Sequence, residues 1–534
     1  MRSFLDIMSK EQILKILYNN CSPGDRNNID KDSFFSKNAF DDLELENLEM
    51  LIGGWKKRDN NYNSEKYSLE DVQENKPETN PNRWGVSGLG LLNYLLRHPL
   101  TKPDQINYMQ ESVLELTERS KLRTSLTNIL IREKGLFRAI RTYCKIENEC
   151  DRVSAFGNFF NSLEEVTKIL DTAESDCLKD LGKSIKRLMK DKNLGIAGNI
   201  AVKQDHNFSV VGGKIIRNSW GSYRAHEINY ITDEGQEVNV FVIADRDLDR
   251  HGNGSFNAYY TIWKAIENSL NKSGLESLEN IALNGAILGY LNGLANFAQI
   301  YNKNNIKYIF PEIHSNGKKE LYFKRALNPL LISKNKVIPN NISFDNNSTV
   351  QVIAGANNGG KTTYLKTTGL LTVMAQIGAP IPATEARITP FANIYSHFPK
   401  TESVLSGNGR FVDELKRLRL VLENANESTL VLLDEPCAGT SNEDALDVSL
   451  DVIYGLQKLG CSTLYSTHLH EIQNRLKDKE RYPNCVNMRV EVRGSYEKPI
   501  FTHKISKGVA GRSYGATYAK LNLPVDEILK SRGK

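Results

Sequence analysis

The chain lacks the features that mark a membrane protein, a secreted disulfide scaffold or a strongly charged polymer binder. No uncharged apolar run of about 18 residues occurs, so no membrane-spanning helix is expected. The opening Met-Arg-Ser-Phe-Leu-Asp-Ile has no apolar stretch of signal-peptide length. The 7 cysteines are an odd number without C-x-x-C spacing, which argues against a disulfide framework and against a zinc site, and fits a reducing cytoplasm. Charge is close to balanced, 69 basic against 64 acidic residues, so any contact with nucleic acid has to come from local patches. With 534 residues and 40% hydrophobic content, the chain can build real cores, in about three or four domains by length.

One stretch organises the rest. Ser348 to Ala354 is short, apolar and β-branched, and it runs into Gly355-Ala-Asn357-Asn358-Gly359-Gly360-Lys361-Thr362, which fits G-x-x-x-x-G-K-[ST]. A strand feeding such a loop turns successive N–H groups inward onto phosphate oxygens, and the helix expected from Lys361 through Thr362 and Thr363 adds the positive end of its dipole. Lys361 is placed to reach the β/γ-phosphates of ATP and Thr362 to ligate Mg²⁺. A second buried strand, Leu430-Val-Leu-Leu, ends in Asp434-Glu435-Pro436, where open α/β sheets present their ligands. In an NTPase of this kind Asp434 holds Mg²⁺ and Glu435 polarises the attacking water. A third strand, Thr463-Leu-Tyr-Ser-Thr, ends at His468, positioned for the γ-phosphate or the water.

These motifs carry a family resemblance. The phosphate loop, Ala375-Gln-Ile-Gly378-Ala-Pro-Ile-Pro382-Ala383, Leu433-Asp-Glu-Pro-Cys-Ala-Gly439-Thr440-Ser441, Ser466-Thr-His468-Leu-His-Glu471 and Gly511-Arg-Ser513-Tyr514-Gly515 occur in the order of the MutS family's ATPase domain, which they resemble. The resemblance implies an ATP- and Mg²⁺-dependent ATPase that binds duplex or branched DNA, working as a homodimer or a MutS-like heterodimer in the cytoplasm or with nuclear or nucleoid DNA. It implies a trans-acting signature segment at Ser406-Gly-Asn-Gly409-Arg-Phe411-Val-Asp-Glu414, where Gly409 stands in place of the family's serine. It also implies an adenine contact at Val337-Ile338-Pro339-Asn340, where an aliphatic pair replaces the family's aromatic ring.

The fold expected is multidomain: a helical core or lever domain with a small β insertion, and an ABC-class α/β P-loop NTPase domain closed by a C-terminal helical segment. Residues 1–80 read as an N-terminal helix with a polar linker, 81–305 as the core with its insertion near 209–244, and 306–534 as the ATPase domain. Glycines at 274, 285, 289 and 293 are candidate breaks in a long helical stretch from Asn257 to Tyr301. Lys179, Lys183, Lys186, Arg187 and Lys190 share one helical segment, a basic face suited either to phosphates or simply to solvent. None of Phe4, Phe34, Phe35 and Phe40 begins a Phe-x-Glu motif, so the mismatch-reading wedge of the family is not expected, nor its Smr domain. Two other classes stay open, a nucleotide-switched RNA or ribonucleoprotein binder and an ABC-type ATPase of another machine, the latter on Leu405-Ser-Gly.

Overall fold

The computed structural model describes residues 39–53, 85–132, 149–191, 213–217, 224–231, 237–243, 272–314, 320–332, 337–399, 410–437, 439–494 and 499–511. The helical part comprises α1 (Ala39–Asp42), α2 (Leu45–Gly53), α3 (Gly85–Arg97), α4 (Pro103–Glu118), α5 (Ser120–Arg132), α6 (Glu149–Leu170) and α7 (Asp176–Met189). A three-stranded antiparallel sheet follows, β1 (Gly213–Arg217), β2 (Arg224–Ile231) and β3 (Glu237–Ile243), at the place read as a β insertion. Then comes α8, Lys272–Lys303, 32 residues long.

The expected breaks in α8 do not occur: the helix runs through Gly285, Gly289 and Gly293. The reason is packing. A Cβ on Gly88 of α3 would lie 2.8 Å from the Gly289 carbonyl carbon, so the two helix backbones are in near contact and glycine is what lets them approach. Residues 281–295 of α8 are buried without interruption, as befits a helix enclosed on every side rather than amphipathic. The N-terminal helix read near Ile13 and nearly all of the polar linker read from Gly53 to Pro81 lie outside the described residues. Ala39–Gly53 forms two helices whose Leu43, Leu45, Leu48 and Ile52 are buried in the main core.

The remaining chain is α/β. Strands β4 (Glu312–Ile313), β5 (Leu321–Ala326), β6 (Asn340–Phe344) and β8 (Glu385–Ile388) make a small sheet of order β4-β8-β5-β6. The larger sheet has six strands, ordered β13-β12-β7-β11-β10-β9, from β7 (Val350–Ala354), β9 (Asn393–His397), β10 (Thr429–Asp434), β11 (Ser462–Thr467), β12 (Cys485–Gly494) and β13 (Pro499–Lys507). All its neighbours run parallel except the β12–β13 hairpin. Every residue of β7, β10 and β11 is buried, the pattern of parallel strands covered on both faces.

One face is covered by α9 (Lys361–Gln376), the helix that follows the phosphate loop; α10 (Arg410–Asn424), α11 (Asn442–Leu459) and α12 (His470–Arg475) complete the fold. The main hydrophobic core is continuous from Leu91, Ile106 and Leu291 in the helices to Leu365, Leu432 and Leu464 in the α/β part. Among the described residues no helix is long and apolar enough to cross a membrane.

The close approach of α3 and α8 makes a prediction whose sign decides it. In an open helix Gly→Ala stabilises by about 1 kcal/mol. Gly88→Ala, with the new methyl 2.8 Å from backbone, is expected to destabilise instead, by about 1–3 kcal/mol of overpacking. Chemical denaturation of the two proteins checks this, and a more stable variant would contradict the packing.

Candidate nucleotide site

Because β7, β11 and β10 are adjacent and parallel, their C-terminal ends meet at one edge of the sheet. The register pairs Asp434 with Ser466 and Thr467 with Ala354, so the phosphate loop, the acidic pair and His468 are brought together as the motifs required.

The loop turns through left-handed backbone at Gly355 (φ 146°), Asn358 (φ 62°) and Gly360 (φ 96°). Gly359 has a further reason to lack a side chain, since a Cβ there would sit 2.7 Å from Val490 of β12. Gly360 is the N-cap of α9 and no side chain caps the helix, which leaves its first N–H groups open to an anion. Asn357 and Asn358 are exposed on the loop, and Thr362 and Thr363 are exposed on the first turn.

Lys361 is buried, 5% exposed, and its ammonium is folded back into the loop. It donates to Gly355 O at 2.9 Å, Ala356 O at 3.3 Å and Asn357 Oδ1 at 3.4 Å, and pairs with Glu435 Oε1 at 3.2 Å. Thr362 Oγ1 donates to Asp434 Oδ2 at 2.7 Å, and Ser466 Oγ donates to the other carboxylate oxygen. Burial pushes Asp434 above the ordinary carboxylate range, against those two hydrogen bonds.

Glu435 sits in left-handed backbone, φ 46°, a strained conformation for a non-glycine residue that favours a functional reading. Its Oε2 lies 3.6 Å from His468 Nδ1. The imidazole of His468, and then the Lys361 ammonium, hold Glu435 down at about 2 despite burial.

A hard cation fits this set. Mg²⁺ takes oxygen ligands and with nucleotide phosphates needs only one or two from the protein; the Thr362 hydroxyl and the Asp434 carboxylate are such a pair. Among the described residues no cluster of three His, Cys, Asp or Glu forms a self-sufficient metal cage.

The other sequence-derived candidates fall in different places. Val337 and Ile338 precede β6, with Ile338 36% exposed. The neighbouring Asn340 donates to His503 O at 3.0 Å and accepts from Ile505 N at 2.9 Å, which ties this segment to β13. His503 stands against Gly360, its Cβ 3.5 Å from where a Gly360 Cβ would be. Gly409 lies outside the described residues, and so does the segment from 512 onward. Phe411 is half-buried against the core between α10 and the sheet. Glu414 is buried and accepts from Gly439 N at 3.2 Å, so in this chain it braces the loop after Glu435 from the same subunit. Lys179, Lys183, Lys186 and Arg187 of α7 and its C-cap Lys190 are all exposed, while Leu178, Leu181 and Ile185 face the core. Lys186 binds Asp171 at 2.5 Å and Lys183 contacts Asp180 at 3.6 Å; Lys179, Arg187 and Lys190 form no ion pair among the described residues.

Sequence reasoning missed three groups here. Ser466 orients Asp434 and was legible only through the strand register. His470, on the first turn of α12, keeps a buried Nδ1 without a partner among the described residues. Burial, then the charges of Lys361 and His468, lower its pKa, which marks it as part of the same electrostatic site. His503 could not be found without the β12–β13 hairpin folding back over the loop.

A mostly parallel sheet with a phosphate loop on one strand and an acidic pair on a nearby strand defines a P-loop nucleotide-binding fold. Residues 351–533 match the family profile of MutS domain V. Over that segment the chain is similar to the MutS family. It is 28% identical over 381 residues to the DNA mismatch repair protein MutS of Caldicellulosiruptor bescii, covering 67% of this chain and 42% of that one. Against the MutS of Thermosipho melanesiensis the identity is 30% over 248 residues, covering 46% and 29%, and against that of Prochlorococcus marinus strain AS9601 it is 31% over 314 residues, covering 58% and 33%. The chain thus spans less than half the length of these relatives.

The depressed Glu435 pKa sets a pH dependence. A carboxylate lowered from 4.5 to about 2 on folding contributes stability that is fully present above pH 4.5 and is lost as pH falls toward 2. The stability difference between wild type and Glu435→Gln, followed by thermal unfolding, should therefore shrink on acidification through that window. A difference that stays constant with pH would contradict the contacts with His468 and Lys361.

Proposed function

We propose that this chain binds and hydrolyses ATP with Mg²⁺, and that the nucleotide cycle gates its grip on DNA. The observation that carries the reading is the meeting of Lys361, Thr362, Asp434, Glu435 and His468 at one sheet edge, with the open N-terminus of α9 between them.

The chain's own groups suggest the sequence of events. Incoming phosphates compete with Glu435 and the loop carbonyls for the Lys361 ammonium, and the N–H groups of residues 359–362 supply the remaining donors. Thr362 and Asp434 are the residues that would hold Mg²⁺, which would supply positive charge against the phosphates. Glu435, freed of Lys361, orients the attacking water. Its carboxylate, held below the ordinary range by the His468 imidazole, can accept a hydrogen bond from that water. His468 steadies Glu435 from the other side. Gly409, Phe411 and Glu414 of the signature segment are proposed to complete a second subunit's site, in a homodimer or MutS-like heterodimer. Gly409 lacks the hydroxyl that would add one hydrogen bond to charge, worth about 1.5–3 kcal/mol, so a backbone N–H has to serve. Val337, Ile338 and His503 would flank the base.

Lys361→Ala should lose nucleotide binding, whereas Glu435→Gln should bind ATP and stall with it. Filter binding and phosphate release separate the two, and full turnover by Glu435→Gln would remove Glu435 from its role. Turnover per chain should also fall when dimers are diluted to monomers.

For DNA, the exposed Lys179, Arg187 and Lys190 on α7 suit backbone phosphates, which position a protein without reading bases. None of Phe4, Phe34, Phe35 and Phe40 begins a Phe-x-Glu motif of the kind that detects a mispair by unstacking it. Affinity should fall steeply with salt and be alike for homoduplex and G·T heteroduplex. Titrations of both at one salt concentration test this. A heteroduplex preference of about tenfold, equal to 1.4 kcal/mol, would contradict it, and tighter binding to structured RNA would move the reading to a ribonucleoprotein partner.

A further inference from the structure

The far end of α9, remote from the phosphates, is joined to the helical layer by two buried side chains. Gln376 is the last residue of the helix and is 0% exposed. Its Nε2 donates to Leu100 O at 2.8 Å and to Phe391 O at 2.9 Å, and its Oε1 accepts from Phe391 N at 3.1 Å. Its own carbonyl accepts from Leu100 N at 3.2 Å. The next carbonyl, Ile377 O, accepts from Tyr290 Oη at 2.6 Å, and Tyr290 lies midway along α8 with no exposed surface. Gly378 then turns with φ 75° and packs against Met109 of α4.

The phosphate loop and this junction are therefore the two ends of one 16-residue helix, about 24 Å long. A helix is stiff along its axis, so displacement of its first turn arrives at its last. The joints at that end are hydrogen bonds in a dry core, where water cannot substitute for a stretched partner. The other tie between α9 and the helices is of a different kind. Lys366 pairs with Glu44 at 2.5 Å, but both are partly exposed, 25% and 41%, so solvent can replace that contact. Close to the junction, Gln110 Nε2 is buried without a partner beside Gly378, and α8 carries Asn292 Oδ1, Gln299 Nε2 and Tyr301 Oη in the same condition among the described residues.

We infer that Tyr290 and Gln376 are the positioning residues through which nucleotide occupancy at α9 is communicated to α8. This rests on the nucleotide site proposed above and needs no assumption about DNA. The test is hydrogen exchange of the full chain, with and without the non-hydrolysable probe adenosine 5′-(β,γ-imido)triphosphate and Mg²⁺, read in peptides of α8, with nucleotide affinity measured in parallel. Wild type should show a nucleotide-dependent change in α8 exchange. Tyr290→Phe, which removes only the hydroxyl, and Gln376→Met should bind the probe as tightly as wild type and lose that change. Should Gln376→Met fold poorly, Tyr290→Phe decides alone. A merely structural role would raise α8 exchange equally in both states. The inference is overturned if the variants still transmit the change, or if wild type binds the probe without altering α8. If wild type binds no probe, the nucleotide reading falls and takes the junction with it, so the two failures are told apart.

Discussion

A buried lysine is the constraint on which the site depends. An ammonium at 5% exposure is tolerated only where acceptors replace its lost water, and here every acceptor comes from the loop or from Glu435. The left-handed turns at Gly355, Asn358 and Gly360 shape the loop that lets Gly355 O and Ala356 O face the ammonium, and Val490 leaves no room for a side chain at 359. Phosphate oxygens are stronger acceptors than carbonyls, so on the proposed reading the same enclosure that stabilises the closed lysine favours its transfer to a nucleotide. The strain at Glu435 is held by the backbone bond from its N–H to Ser466 O at 3.1 Å.

The helix leading from that lysine explains much of the architecture. Buried residues occur all around α9, and Thr367, Thr368 and Thr372 satisfy their hydroxyls on carbonyls four residues back. That frees the helix to be enclosed between the sheet and the helical layer. Gly369 shows how closely: a Cβ there would be 2.6 Å from Leu43 and 2.9 Å from Leu432, one from each side. The shared core makes the nucleotide edge and the helical layer parts of one packed body.

Most of the site was legible because its chemistry constrains residue type at fixed spacing. A phosphate loop needs glycines and a lysine in order, and an acidic pair after an apolar strand has few other uses, so Lys361, Thr362, Asp434 and Glu435 could be found without coordinates. Features that depend on contacts between distant segments were not. Gly289 read as a candidate helix break, since sequence shows its flexibility but not the opposing backbone at Gly88. Ala39–Gly53 lacks a motif, and only its burial against α9 and α8 reveals its part in the core. The contact of the Glu414 carboxylate with Gly439 N, 25 residues further along, was likewise invisible in the sequence. Ser466 and His503 became visible only through strand register and the returning hairpin.

The central claim is that this edge is a Mg²⁺-dependent nucleotide site, and calorimetric titration of the purified chain with ATP, with Mg²⁺ and then with the metal chelated, addresses it without relying on turnover or on DNA. The account predicts saturable binding of one ATP per chain that weakens when Mg²⁺ is removed, because Thr362 and Asp434 then return to each other. Absence of saturable binding, or binding indifferent to Mg²⁺, would contradict it.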